Sequence, residues 1–274
     1  MTSAVGLDGD RLRALLEGNE FVHGLEILDV CSSTNDEVRR RSLAGAPSGT
    51  VVLAEEQTAG RGRMGRAWFS KRGLGLYIST LIRPSVHVGP VTRWSVASAL
   101  AACEACRKVA DGVIIKWPND LQHGELKLAG VLTELRSAGP RVEEVIVGAG
   151  FNVNHRFADF PPPLMKAATS LLQARGGRAV ERELLATEYL GHLGERVAAL
   201  ERGDWEEVLD AWSRLAPAAE GVRVRVQPSG GRGRDISFEG ITRGLDSSGA
   251  LRVERDNGRV VTLHLGETVT SLEG

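Results

Sequence analysis

Two stretches of this chain combine residue types suited to chemistry on an anion. The first runs Gln57-Thr58-Ala59-Gly60-Arg61-Gly62-Arg63-Met64-Gly65-Arg66-Ala67-Trp68. Interleaved glycines expose backbone N–H groups, and three guanidinium groups fall within six residues, so donors of both kinds can converge on a phosphate or carboxylate. A Trp at the end of such a loop supplies an apolar wall once the loop closes on a ligand. The second is Lys116-Trp117-Pro118-Asn119-Asp120, followed by Lys127-Leu128-Ala129-Gly130. An ammonium group is a compact charge to set where negative charge develops, and a neighbouring carboxylate orients it or accepts a proton from an attacking amine. Gly130 permits close ligand approach. In Gly148-Ala149-Gly150-Phe151-Asn152-Val153-Asn154 the glycines allow a bulge or a close ligand, and Asn152 can bridge a nucleobase or ribose; a plain strand-end turn explains them equally well.

Other chemistries fare worse. Gly60, Gly62 and Gly65 spell G-x-G-x-x-G after a strand, yet an arginine-rich aromatic segment follows instead of an apolar helix. Residues 57–103 also contain no Asp or Glu to hold a ribose. Cys103 and Cys106 form a C-x-x-C inside an apolar helix, which fits buried structural thiols, and with Cys31 they make an odd count that argues against a disulfide framework. His23, His87, His123, His155, His192 and His264 show no metal spacing. Metal ligands are therefore not legible, and P-loop and G-x-S-x-G patterns are absent from the sequence.

The elements that must position these residues follow from periodicity. Residues 8–18 read as a short amphipathic helix, 25–31 as a strand, 32–45 as a helix with hydroxyl and Asn caps, and 50–57 and 75–82 as strands. Residues 90–111 are apolar nearly all round and predict a buried helix. Strands follow at 112–117 and 127–135, joined as a hairpin with Asp120 in its turn, then at 143–153. Helices are expected at 181–202 and 204–215, with a boundary at Pro217. Beyond it VRVRVQ, ISFEGIT, ALRVER and VVTLHL alternate like the strands of a small β-barrel. The expectation is an α+β main domain, 1–218, and a small all-β domain, 219–274.

Composition sets limits. The 274 residues carry 34 basic and 35 acidic side chains, a net charge of −1, which argues against a chain held on nucleic acid or lipid by bulk charge. Only five of the basic residues are lysines. No apolar run spans a membrane and no leader is evident, so a cytoplasmic protein is expected.

Taken together, GRGRMGRAW, KWPND, KLAG with VLTE, GAGFN, SSTN (32–35), ATSL (168–171) and GITRGLDSSGAL (240–251) resemble the biotin protein ligases. The resemblance runs in family order from about residue 25 to the end. It implies a mixed-sheet catalytic domain of the class II synthetase and biotin/lipoate ligase type, followed by an SH3-like barrel. It further implies activation of biotin by ATP with Mg²⁺ to biotinyl-5′-AMP, then transfer to one lysine of a biotin carboxyl carrier domain. Ser33, Thr34, Asn35 and Gln57 would lie at the ring end of biotin, with Gly60, Arg61, Gly62, Arg63, Trp68, Gly130 and Gly148 also around it. Lys127 would hold the biotin carboxylate and α-phosphate, and Asp120 would orient Lys127 or deprotonate the incoming lysine. Arg63, Arg66, Trp68, Lys116, Asn119, Lys127, Asn152 and Arg243 would meet the nucleotide.

Some relatives in that family carry an N-terminal winged helix. Here only some 24 residues precede the first expected strand, so specific DNA binding is not expected. Thr133 stands where an aliphatic residue is expected before Glu134. A monomer or a homodimer is equally compatible. The competing expectations are a lipoate ligase or octanoyltransferase, disfavoured by the biotin-type motifs, and a non-catalytic biotin sensor, disfavoured by intact Lys127, Arg63 and Asp120.

Overall fold

A computed structural model of the chain describes residues 6–86, 88–138, 141–227, 237–264 and 268–272. His87, and the Ile236 and Leu265 ends of two expected strands, lie outside the described residues. In chain order the elements are α1 (Gly9–Leu15), β1 (Gly24–Cys31), α2 (Thr34–Leu43), β2 (Thr50–Gln57), β3 (Gly75–Ile82), α3 (Val91–Arg107), β4 (Val113–Lys116), β5 (Asp120–His123), β6 (Leu126–Ala138), β7 (Arg141–Asn152), α4 (Pro162–Met165), α5 (Leu171–Ala174), α6 (Arg182–Arg202), α7 (Trp205–Leu215), β8 (Glu220–Gln227), β9 (Phe238–Leu245), β10 (Leu251–Arg255), β11 (Val260–Leu263) and β12 (Thr268–Ser271).

The larger sheet is mixed, in the order β1-β2-β3-β7-β6-β5-β4, with β1 parallel to β2 and the other pairs antiparallel. Its two faces bury different things because strand side chains alternate. On β7, Val145, Val147, Ala149 and Phe151 join the main core with α3 and α6. Ile146 faces the other way and packs with Val38 of α2, Val52 and Leu81 in a small cluster. Continuing by twos from Ile146, the α2 side of β7 is Gly148, Gly150 and Asn152. Glycine there leaves the sheet bare beyond the end of α2, and the cavity opens there.

One expectation needs correction. The strands at 112–117 and 127–135 do not pair directly, because Asp120–His123 forms β5 between them. Residues 117–119 turn tightly and Gly124, at φ 60°, supplies a second turn, so a four-residue strand fits where a loop is expected. Asp120 consequently sits in a strand, paired across to Lys116 on one side and Gly130 on the other.

The C-terminal strands form a second sheet, antiparallel, in the order β11-β10-β9-β8-β12. Among the described residues β11 and β12 are its edges and do not pair, so the sheet is open and the expected closed barrel is not seen. Val224, Val226, Leu251, Val253 and Leu263 carry its apolar face into the main core. Cys103 and Cys106 are buried in α3, where burial pushes the Cys103 thiol up to about 12 and the Cys106 thiol upward as well, as suits inert structural thiols.

Candidate active site

A cavity of about 360 Å³ lies beside the N-terminus of α2, over the glycine-bearing face of β6 and β7. Gly130 and Gly150 are cross-strand partners, as are Leu132 and Gly148. The indole of Trp68 lies on the first pair: a Cβ on Gly150 would fall on its Nε1 edge, and one on Gly130 would come 3.3 Å from its Cζ3. A Cβ on Gly148 would fall on the Asn35 amide. At these glycines the Trp68 and Asn35 side chains lie directly on the sheet backbone.

The loop that brings Trp68 there is a small hairpin. Gly62 N–H donates to Arg66 O at 2.7 Å and Trp68 N–H to Gly60 O at 2.8 Å, while Met64 and Gly65 turn the chain at φ 59° and 71°. Its arginines are engaged. Both Nη atoms of Arg61 meet the Asp36 carboxylate at 2.5 and 2.6 Å, and those hydrogen bonds hold that carboxyl below its usual range. Arg63 Nη1 donates to Asn119 Oδ1 at 3.0 Å. The loop is therefore pinned to α2 at one side and to the β4–β5 turn at the other.

Lys127 stands opposite. Its ammonium lies 2.7 Å from Asp120 Oδ1 and 5.4 Å from the centroid of the Trp68 ring, with both partners of the ion pair about one-third open to solvent. Its backbone is gripped from the far side: the N–H donates to Ala167 O and the carbonyl accepts from Thr169 N–H, each at 2.9 Å, and from Asn152 Nδ2 at 3.4 Å. That explains why an ATSL segment belongs to the constellation. Lys116 also lines the cavity and, among the described residues, makes no side-chain hydrogen bond or ion pair.

The closed end is a hydrogen-bond network. Thr34 donates its backbone N–H (2.9 Å) and hydroxyl (3.2 Å) to Gln57 Oε1, and Gln57 Nε2 donates to Ser70 Oγ at 3.0 Å. Ser79 Oγ lies 2.7 Å from Thr34 Oγ1 and 2.6 Å from Asn35 Oδ1. Ser33, Thr34, Asn35 and Ser79 are all buried. A set of buried polar groups beside a cavity suits a polar ring whose own donors and acceptors must be matched.

Comparison with known proteins fits this geometry. The model of the biotin/lipoate A/B protein ligase family matches residues 27–152. A biotin–[acetyl-CoA-carboxylase] ligase of Mycobacterium tuberculosis is 32% identical over 253 residues, covering 89% of this chain and 88% of that protein. The chain belongs to the biotin protein ligase family. A bifunctional ligase/repressor of Bacillus subtilis is 33% identical over 231 residues, 84% of this chain and 69% of that one. Among solved structures, the biotin protein ligase of Aquifex aeolicus in complex with biotin and ATP superposes with a TM-score of 0.78 at 26% identity, covering 90% of this chain and 99% of that one.

Within this member of the family, the structure brings Ser33, Thr34, Asn35, Gln57, Arg61, Gly62, Arg63, Arg66, Trp68, Lys116, Asn119, Asp120, Lys127, Gly130, Gly148 and Asn152 to one cavity. Gly60 sits just behind it, closed in by Ser70 Oγ, Trp68 O and Gln57 Nε2, all within 3.0 Å of where a Cβ would lie. Arg243 is elsewhere: it pairs with Glu254 at 2.7 Å on the second sheet and does not line the cavity. What the second sheet does supply is Val269 and Thr270 of β12, which sequence patterning missed because the strand is only four residues long. Leu164, in α4, and Phe160, just before it, were missed as well, since these single turns have no periodicity to detect.

Proposed function

We propose that the chain condenses biotin with ATP to biotinyl-5′-AMP and pyrophosphate, then transfers the biotinyl group to a lysine of a biotin carboxyl carrier domain. The observation that carries this is the convergence, on one cavity, of the buried polar end, the arginine–glycine loop and the Lys127–Asp120 pair. In this reading the ring is held by Ser33, Thr34, Asn35 and Gln57, and the valeryl chain lies over Gly148, Gly150 and Gly130. The carboxylate then meets Lys127, and the nucleotide lies among Arg63, Arg66, Trp68, Lys116, Asn119 and Asn152.

A carboxylate oxygen of biotin attacks the α-phosphorus as the bond to pyrophosphate breaks, and the Lys127 ammonium offsets the charge gathering on the transferring phosphate. In the second step the amine of the carrier lysine attacks the acyl carbon and AMP leaves. Asp120, 2.7 Å from Lys127, is placed to take the amine proton. Between the steps the loop, pinned through Arg61–Asp36 and Arg63–Asn119, keeps water from the mixed anhydride. Among the described residues no three carboxylate, His or Cys side chains gather as a metal site, and Asp120 is the one carboxylate lining the cavity. That set does not make a protein cage for Mg²⁺; the ion fits better as part of the ATP complex, held on its phosphates.

We read residues 1–218 as the catalytic domain and 219–274 as an SH3-like domain that closes the nucleotide side through β12. Trp117 Nε1, in the β4–β5 turn, donates to Gly249 O at 3.3 Å and ties the two sheets together. None of the described helices is long and apolar enough to cross a membrane, and three free buried thiols fit a cytoplasmic setting.

The test is ATP-dependent pyrophosphate release with biotin, lipoate and octanoate in parallel, followed by the mass of a carrier domain incubated with ATP, biotin and the chain. Release with biotin and a carrier heavier by one biotinyl group are expected. Release with lipoate alone would overturn the proposal.

A further inference from the structure

The amide of Asn35 is held at both its ends, and the group that holds its nitrogen is Glu134. Glu134 lies on β6 two residues beyond Leu132 and four beyond Gly130, so alternation sends its side chain to the cavity face of the sheet. Its Oε2 accepts from Asn35 Nδ2 at 2.6 Å, and its Oε1 is paired with Arg39 Nη2 at 3.0 Å. Both contacts are to α2, whose first turn carries Thr34, Asn35 and Asp36.

An amide can lie either way round unless a neighbour decides. A carboxylate has no proton to give, so it accepts only the amide NH₂. Glu134 therefore turns Asn35 Nδ2 toward itself and Oδ1 toward Ser79, 2.6 Å away and wholly buried. Asn35 cannot step aside, because it rests on the bare backbone of Gly148. A carbonyl oxygen has two lone pairs, and Ser79 can use only one.

We propose that Glu134 is a positioning residue for the ring end of the cavity: it fixes the orientation of Asn35, so that Asn35 Oδ1 is presented as an acceptor for a ligand N–H. This rests on the biotin reading of the site, since a cyclic urea supplies such an N–H. Glu134 touches no ligand itself. It acts through Asn35, and Arg39 keeps its second oxygen from turning away.

Glu134→Gln is the decisive variant, since it keeps the shape but adds an NH₂ that lets Asn35 lie either way round. In adenylation kinetics the KM for biotin should rise about tenfold, while the KM for ATP changes by less than about twofold. In a double-mutant cycle, Glu134→Gln should add little to Asn35→Ala, because both remove the same oriented acceptor. An unchanged biotin KM, an equal rise in both KM values, or additive effects in the cycle would each overturn the assignment. Should Glu134→Gln fail to fold, Asn35→Ala alone decides: a wild-type biotin KM in that variant overturns the proposal. If the unaltered chain releases no pyrophosphate with biotin, the biotin reading fails and takes this assignment with it. If the unaltered chain is active and only the variants disagree, Glu134 alone is refuted.

Discussion

At the scale of single residues, the proposed function gives Lys127 and Arg63 separable tasks. Lys127 is the ammonium facing the floor of the cavity, set by a 2.7 Å pair with Asp120 and by backbone bonds from Ala167 and Thr169. Lys127→Ala should lower the adenylation rate by about two orders of magnitude or more, as expected for loss of a charge that acts in the transition state. Pyrophosphate release at near wild-type rate would refute that role. Arg63 bonds Asn119 at 3.0 Å and pins the loop to the β4–β5 turn. Arg63→Ala should release the adenylate about tenfold faster, measured as adenylate retained after gel filtration, since a charge-assisted bond is lost. Unchanged retention would leave the loop without a holding function. Both residues stood out in the sequence because lysine is scarce and because arginines interleaved with glycines can converge on an anion. The pairings Arg61–Asp36 and Arg63–Asn119 join residues 25 and 56 positions apart, and nothing in the sequence marked those side chains as the groups the arginines would meet.

Among the elements, the sheet surface under Trp68 is the sharpest prediction. The Gly130–Gly150 pair leaves room for an indole, but the two positions differ in clearance. Gly150→Ala places a methyl group on Trp68 Nε1 and should displace the ring, raising the KM for ATP about tenfold through loss of an aromatic wall. Gly130→Ala meets its neighbours at 3.3 Å and should cost far less. Equal effects from both would show that the ring does not depend on this floor. Strands and long helices were legible here because their periods are strong: 50–57 and 75–82 are β2 and β3 residue for residue, and the apolar run at 90–111 is α3 less its ends. The β5 strand was not, since four residues between two turns carry too little alternation to separate from a loop. The same limit hid α4, which supplies Leu164, and β12, which supplies Val269 and Thr270.

For the whole molecule, the clearest consequence concerns acid. His155 is fully buried between Phe69 and Phe160, stacked on the latter at 5.0 Å, and burial pushes its pKa down to about 4. The unfolded chain takes up this proton near pH 6.5 and the folded chain only near 4, so folding stability should fall as pH drops through that window. The loss amounts to about 3 kcal/mol at most. His155→Leu should flatten the stability profile between about pH 6.5 and 4 in denaturant titrations, and an unaltered slope would assign the acid sensitivity elsewhere. By itself the sequence determined which segments hold residue types suited to chemistry on an anion, that the chain is α+β, and which family it resembles, because side-chain type and local period are properties of short segments. Tertiary structure alone decided that Arg243 stays on the second sheet while β12 reaches the cavity, that Asp120 is a strand residue beside Lys127, and that Glu134 holds Asn35. Those are contacts between segments far apart in the chain, set by how the sheet registers and how the second sheet packs, and no local pattern records them.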